Sequence, residues 1–344
     1  MRRGLTLGKF APFHRGHQLL IETALAEVDE LVFTTFYATD VMDVPLQVRA
    51  GWIKELYPTV RIVEAWDGPN GYGDTPEICR EQENYILEKL NGLRITHFYS
   101  SEFYGDHVSR ALCAVDRRVD EARTTVPISA TALRKDYFAG RAYLAPAVYT
   151  DLITKVCFMG APSTGKTTLA QAMAERHHTV WMPEYGGEYW LEHHVERRIT
   201  LEQFEQIPPE HNRREDALTL QARKYLFCDT NPITTYCFAK DYHGSAGPVL
   251  TRLAKEAEKR YDLFFLCDTD TPYDDTWDRS GDQKRKWFQE QIVDDLAERR
   301  VPFFRISGTL EERVAQVDDV LRLHRKFDNL LDIKPSITAA ETSN

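Results

Sequence analysis

His14 and His17 stand three residues apart in the string Gly8-Lys9-Phe10-Ala11-Pro12-Phe13-His14-Arg15-Gly16-His17, between a strand-like run from Leu5 to Phe10 and a helix-like run from Gln18 to Val28. Where a strand gives way to a helix, the first backbone N–H groups are unsatisfied and the helix dipole favours an anion. Two imidazoles at that point add donors that can follow charge as it develops on a phosphoryl oxygen, and Lys9 brings positive charge. Gly16 lets backbone approach a phosphate closely, and Gly8 and Phe10 belong to the same nucleotide-contacting string. A lone histidine here would more simply cap the helix; the whole string argues for phosphate chemistry. Late in the same half, Ile128-Ser129-Ala130-Thr131-Ala132-Leu133-Arg134 reads as a helix start, with Ser129 or Thr131 as cap and Arg134 one turn in, where it can grip a phosphate bidentately.

A second phosphate motif lies at Gly160-Ala161-Pro162-Ser163-Thr164-Gly165-Lys166-Thr167-Thr168, directly after the apolar run Lys155 to Met159 and before a helix-periodic stretch. In that setting G-x-x-x-x-G-K-T is a P-loop. Backbone N–H groups from Gly160 through Ser163, Thr164, Gly165 and Thr168 cradle phosphates, Lys166 reaches the β/γ oxygens of ATP, and the Thr167 hydroxyl ligates Mg²⁺. The metal also needs a carboxylate at a strand end, and Asp229 closes the strand-like run Tyr225 to Cys228; its alternative role is to cap the helix that follows. Phosphoryl transfer to a hydroxyl needs a base, for which Glu184 ranks first and Glu188 second. The basic stretch Asp278 to Lys286 suits a segment closing on the γ-phosphate, through Arg279 and Arg285. Tyr273, Trp277 and Trp287 beside it are open between ring stacking and packing.

The elements that must position these residues alternate strand and helix. Strands are expected at 5–10, 31–37, 60–63 and 95–99, with helices at 18–28, 45–57, 76–90 and 131–139. Further strands are expected at 155–159, 179–182, 225–228, 262–267 and 303–306, with helices at 166–176, 215–223, 249–259, 283–299 and 310–325. Such alternation implies parallel sheets. The expected organisation is α/β throughout: a Rossmann-like domain over 1–150, a P-loop kinase domain over 151–330, and a polar tail at 331–344.

The 344 residues carry Lys+Arg 43 against Asp+Glu 53, a net charge of −10, divided −3 and −7 between the two halves at residue 150. Neither half has the basic excess of a nucleic-acid binder. No apolar run approaches the ~18 residues of a spanning helix, and nothing resembles a signal-peptide core, so a cytoplasmic protein without a membrane partner is expected. The cysteines at 79, 113, 157, 228, 237 and 267 are widely spaced and read as reduced. The oligomeric state is left open, a homo-oligomer included.

The first string resembles the G-x-F-x-P-x-H-x-G-H motif of the nucleotidyltransferase superfamily, and Ile128 to Arg134 resembles its I-S-x-T-x-x-R segment. With the P-loop half, the arrangement is similar to the NadR family, bifunctional nicotinamide-nucleotide adenylyltransferases and ribosylnicotinamide kinases. The resemblance runs from about 4 to 327 and includes Ser100-Ser101-Glu102 with Tyr104-Gly105, Pro183-Glu184-Tyr185-Gly186, and Cys228-Asp229-Thr230-Asn231 with Thr234-Thr235. It implies ATP-dependent phosphorylation of nicotinamide riboside to the mononucleotide (NMN), then adenylylation of NMN by ATP to NAD with release of pyrophosphate. It further implies that His14, His17, Lys9 and Arg134 hold the triphosphate, with Mg²⁺ on the nucleotide. Some members carry an N-terminal helix-turn-helix; with the first strand starting by Leu5, none is expected here, nor DNA binding. The chain also departs from the family at Gly187, where arginine is common. The rival readings are another adenylyl- or cytidylyltransferase fused to a nucleoside or vitamin kinase, and an ATP- and NAD-sensing regulator without turnover. Trp66, Tyr104 and Trp277 are the stacking candidates for the nicotinamide ring.

Overall fold

The computed structural model describes residues 1–38, 41–69, 73–102, 104–196, 198–272 and 282–327. The chain divides into two units, one spanning Met1–Tyr149 and the other Thr150–Lys326. Arg279, Tyr273, Trp277 and the tail at 331–344 lie outside the described residues. Among those described, no helix is long and apolar enough to cross a membrane.

The first unit follows the order β1 (Arg3–Gly8), α1 (Arg15–Glu27), β2 (Glu30–Phe36), α2 (Leu46–Leu56), β3 (Arg61–Ala65), α3 (Pro76–Leu90), β4 (His97–Ser100), α4 (Gly105–Ala111), β5 (Val115–Arg118) and α5 (Ala130–Lys135). Its sheet has the strand order β3-β2-β1-β4-β5, every pairing parallel. Gly4 to Leu7 of β1 are buried on both faces, as expected of a strand covered by helices on either side. Because β1 has β2 on one side and β4 on the other, its C-terminal end is where the winding reverses, and a crevice opens there in sheets of this kind. Gly8 ends β1 at that point, earlier than the expected Phe10: Phe10 takes φ +47, which no strand accommodates.

After α6 (Pro146–Leu152), the second unit runs β6 (Thr154–Met159), α7 (Lys166–Arg176), β7 (Trp181–Met182), α8 (Tyr185–His193), α9 (Leu201–Thr219), β8 (Tyr225–Asp229), α10 (Pro232–His243), α11 (Pro248–Ala257), β9 (Leu263–Cys267), α12 (Asp282–Arg299), β10 (Phe304–Ile306) and α13 (Leu310–Leu323). The parallel order is β10-β9-β6-β8-β7. Strand β6 is central, and β8 lies beside it, so the P-loop and Asp229 emerge side by side at the same sheet edge. Val156, Phe158, Phe227 and Phe265 of the sheet pack against Leu169, Met173 and Val317 of α7 and α13.

The largest difference from the sequence expectation is α9. A helix expected at 215–223 is the end of a 19-residue helix that begins at Leu201. Pro208 and Pro209 in its interior disguise it, since each removes a backbone hydrogen bond. Thr200 and Gln203 form a reciprocal capping box at its start, and the burial of Phe204 and Ile207 offsets the proline penalty.

Two candidate active sites

In the first unit, α1 is capped by His14 in extended conformation. His14 Nδ1 accepts the Gly16 N–H at 3.1 Å, and His17 Nδ1 accepts the His14 N–H at 3.2 Å. This is the reciprocal geometry of a capping box, built here from two imidazoles. A ring nitrogen that accepts carries no proton, so each neutral ring holds its proton on Nε2. The rings stack at 3.7 Å between centroids, which disfavours charging both. Burial, then the positive charge of Arg123, lowers the His14 pKa to about 4. His17 lies well below its ordinary value through burial first, then His14 and Arg123. At neutral pH the helix N-terminus therefore carries two uncharged N–H donors.

The packing around them explains the string. A Cβ on Gly16 would sit 3.0 Å from the His14 ring, so glycine lets that ring lie on the backbone. Phe10 is buried, meets Phe33 at 4.1 Å and presents its ring edge-on to His17 at 4.8 Å. It supports His17 rather than lying open to a ligand, unlike the nucleotide contact expected of it. Lys9 is exposed, and its carbonyl accepts from the buried Arg49 guanidinium, whose Nε also donates to Val44 O at 3.1 Å. The second segment is brought to the first: Arg134 Nη1 donates to Ala11 O at 2.6 Å and Nη2 to Thr131 Oγ1 at 3.0 Å, while Ser129 Oγ caps α5 by accepting the Ala132 N–H at 3.2 Å. Arg134 thus fastens the histidine loop through Nη1, while its Nη2 is held by its own helix. Arg123, held by Glu102 Oε1 at 3.0 Å, escaped the sequence reading, as did Arg49. Arg49 left a signal, a guanidinium in the buried stripe Leu46, Arg49, Ala50, Ile53 of α2.

In the second unit, the P-loop joins β6 to α7. Gly160 has φ +140, and a Cβ there would come within 2.8 Å of Cys267 O; Gly165, at φ +81, turns the chain into α7. Lys166 Nζ donates to Ala161 O at 3.0 Å and Thr164 Oγ1 to the same carbonyl at 2.8 Å. Thr167 Oγ1 donates to Asp229 Oδ2 at 2.5 Å. Asp229 is fully buried and its Oδ1 lacks a hydrogen-bond partner; burial raises its pKa against the pull of Lys166 and the Thr167 hydroxyl. The cap of α10 is Asn231, not Asp229, so Asp229 has no capping duty. Thr168 is exposed on the first turn of α7.

Three side chains brace the loop from outside. Gln289 Oε1 accepts the Ala161 N–H at 2.7 Å. Arg313, on α13, donates to Thr164 O at 2.6 Å and Gly308 O at 3.0 Å and pairs with Asp270. Arg285 donates to Ser163 O at 3.3 Å, Thr271 O at 3.1 Å and Thr269 O at 3.0 Å. The γ-phosphate contact expected of Arg285 is replaced in this structure by carbonyl contacts that shape the loop.

A cavity of about 660 Å³ extends from the P-loop, past Glu184, to a wall that includes Trp190, Phe204, Phe238 and Tyr242. Glu184 stands at the N-cap of α8, and its side chain is the nearest neighbour that a Cβ on Gly187 would meet, at 3.8 Å, an ordinary contact distance. Glu188 turns instead to Arg214 Nη1, at 2.8 and 3.1 Å. Among the ring candidates, Tyr104 packs against the first unit's core and donates to Leu7 O at 3.1 Å, Trp66 donates to Glu64 Oε2 at 3.1 Å, and Trp287 is exposed.

Among the described residues, no cluster of three or more His, Cys, Asp or Glu could hold a metal by itself. The pair Thr167 and Asp229, with one carboxylate oxygen buried and unpartnered, fits a hard cation that takes its other ligands from phosphate and water.

Residues 155–313 match the family model described as an AAA domain. Over 331 residues the chain is 27% identical to the trifunctional NAD biosynthesis/regulator protein NadR of Escherichia coli K12, spanning 88% of this chain and 78% of that protein. The chain is thus similar to NadR proteins over most of its length. Two solved NadR structures share its fold, each at 19% identity and covering 96% of this chain and 98% of theirs. One is a complex with NAD and AMP-PNP, at TM-score 0.54, and the other a complex with NR, at 0.55.

Proposed function

We propose that the chain performs two successive steps of NAD formation. In the second unit, the 5′-hydroxyl oxygen of nicotinamide riboside attacks the γ-phosphorus of ATP, ADP leaves, and NMN forms. Glu184, at the cavity wall, takes the hydroxyl proton. Lys166 and the loop N–H groups neutralise the transferring phosphoryl group. Thr167 and Asp229 would hold Mg²⁺, which supplies charge neutralisation on the nucleotide phosphates. Gln289, Arg285 and Arg313 keep the loop in shape around these groups.

In the first unit, a phosphate oxygen of NMN attacks the α-phosphorus of ATP in line, forming NAD and releasing pyrophosphate. No side chain becomes covalently attached. The His14 and His17 Nε2–H groups and the N-terminus of α1 stabilise charge on the triphosphate, and Arg134 fixes the loop that aims them. Donors that are already neutral and oriented need no proton rearrangement as the transition state forms.

The observation that carries this reading is the pair of neutral, Nε2-protonated histidines at one helix N-terminus, in a chain that also presents the Thr167–Asp229 pair beside a P-loop. The first site suits transfer at an α-phosphorus, the second at a γ-phosphorus, and the product of the second is the acceptor for the first. Purified protein incubated with ATP, Mg²⁺ and nicotinamide riboside should yield NMN and then NAD by chromatography, and with NMN it should yield NAD directly. If neither compound is consumed, the nicotinamide assignment falls.

A further inference from the structure

Thr234 lies on the first turn of α10, five residues past Asp229, and lines the cavity beyond the P-loop. Its side chain is 2% exposed and its hydroxyl has no hydrogen-bond partner. Helical threonines ordinarily satisfy the hydroxyl by donating to the carbonyl four residues back. Thr23, Thr219 and Thr251 all do so here, each at 2.8 Å. Thr234, at the third helical position, has no such carbonyl in its own helix: four residues back is Thr230, ahead of the Asn231 cap, whose oxygen accepts from Cys157 Sγ at 3.5 Å. A buried hydroxyl without a partner, on a residue that lines a cavity, is a cost that persists unless something else satisfies it.

The helix sets out what that partner is. Thr234, Phe238 and Asp241 follow at i, i+4 and i+7, one face of α10, and all three line the cavity. Asp229, bonded to Thr167 of the P-loop, immediately precedes the helix, and the ring surfaces Phe238 and Tyr242, which line the cavity, come one and two turns along it. Between a phosphate end and an aromatic end, the hydroxyl meets the middle of the acceptor. In a nucleoside, that middle is the sugar.

Resting on the kinase reading of this unit, we propose that Thr234 is a specificity-determining residue that hydrogen-bonds a ribosyl hydroxyl of the acceptor and so sets its 5′-hydroxyl toward the γ-phosphate. It positions the substrate and takes no part in proton transfer.

The test is Thr234→Val, which keeps the shape and removes the hydroxyl, beside Thr234→Ser, which keeps the hydroxyl. In riboside phosphorylation, Val should raise KM for the riboside roughly tenfold or more, with kcat and the KM for ATP little changed, and Ser should restore most of the loss. In thermal unfolding of the ligand-free protein, Val should raise Tm, because an unsatisfied hydroxyl has been replaced by a methyl group. The proposal is overturned if the Val variant keeps the wild-type riboside KM, if Ser is no better than Val, or if Val lowers the ligand-free Tm, which would mean that the hydroxyl has an internal partner. Failure of the wild-type protein to phosphorylate the riboside would count against the kinase reading instead, and the Tm comparison would still decide whether the hydroxyl is unsatisfied.

Discussion

The hydroxyl of Thr167 donates to Asp229 Oδ2 at 2.5 Å, while Asp229 Oδ1 is buried with no hydrogen-bond partner. A carboxylate held in this way is costly to the empty protein, since burial opposes its charge. It becomes favourable when a cation and phosphate arrive. Asp229→Asn should therefore reduce riboside phosphorylation by on the order of a thousandfold, the scale of losing a principal charge-stabilising group. Without metal or nucleotide, the same variant should unfold at an equal or higher urea concentration than wild type. A large loss of stability in the metal-free variant would show that the carboxylate serves the fold.

The two histidines give a pH signature with a definite sign. His14 is lowered to about 4, and His17 also lies well below 6.5. As pH falls from about 6.5 toward 4, the unfolded chain takes up protons at these positions and the folded one does not. Stability contributed by the neutral rings is complete above about 6.5 and is lost through that window, at up to about 1.4 kcal/mol per pH unit for each group. His211, lowered to about 4 by burial, adds to the same slope. His211→Asn should reduce the pH dependence of the urea midpoint between 6 and 4.5. Adenylylation should meanwhile show no rate limb near 6.5, because neutral donors are the working form; a limb there would mean that an imidazolium is required.

Arg313 is 2% exposed and reaches the P-loop from α13 through Thr164 O. Arg313→Met leaves Asp270 and several carbonyls without their donor. Asp270 is exposed enough to be solvated on its own, so the cost should be about 2 kcal/mol, the scale of leaving buried carbonyls without their donor. Thermal unfolding followed together with phosphorylation should show both falling, with adenylylation retained below the new transition. Normal phosphorylation and an unchanged transition would remove Arg313 from the loop's support.

Much of this was legible in the sequence because short-range rules dominate at the two phosphate loops. Strand, glycine, basic residue and helix are adjacent in the chain, so β1 with α1 and β6 with α7 could be read directly. Asp229 could be read as well, since an apolar run ending in an acid leaves few alternatives. Long-range contacts were not legible. Arg313 meets the P-loop across 149 residues, and Gln289 meets Ala161 across 128. Arg285 was read by its charge as a phosphate ligand, but its geometry directs it to carbonyls. Pro208 and Pro209 concealed α9, although the Thr200 and Gln203 spacing announced its start. The unsatisfied hydroxyl of Thr234 could not be anticipated at all, because what marks it is burial without a partner, which only the packing around α10 decides.

Two independent sites in one chain are separated by a product analysis of His17→Ala and Lys166→Ala, each supplied in parallel with ATP, Mg²⁺ and either nicotinamide riboside or NMN. His17→Ala should convert the riboside to NMN and stop there. Lys166→Ala should convert NMN to NAD and leave the riboside untouched. Loss of both conversions in either folded variant would contradict the two-site account.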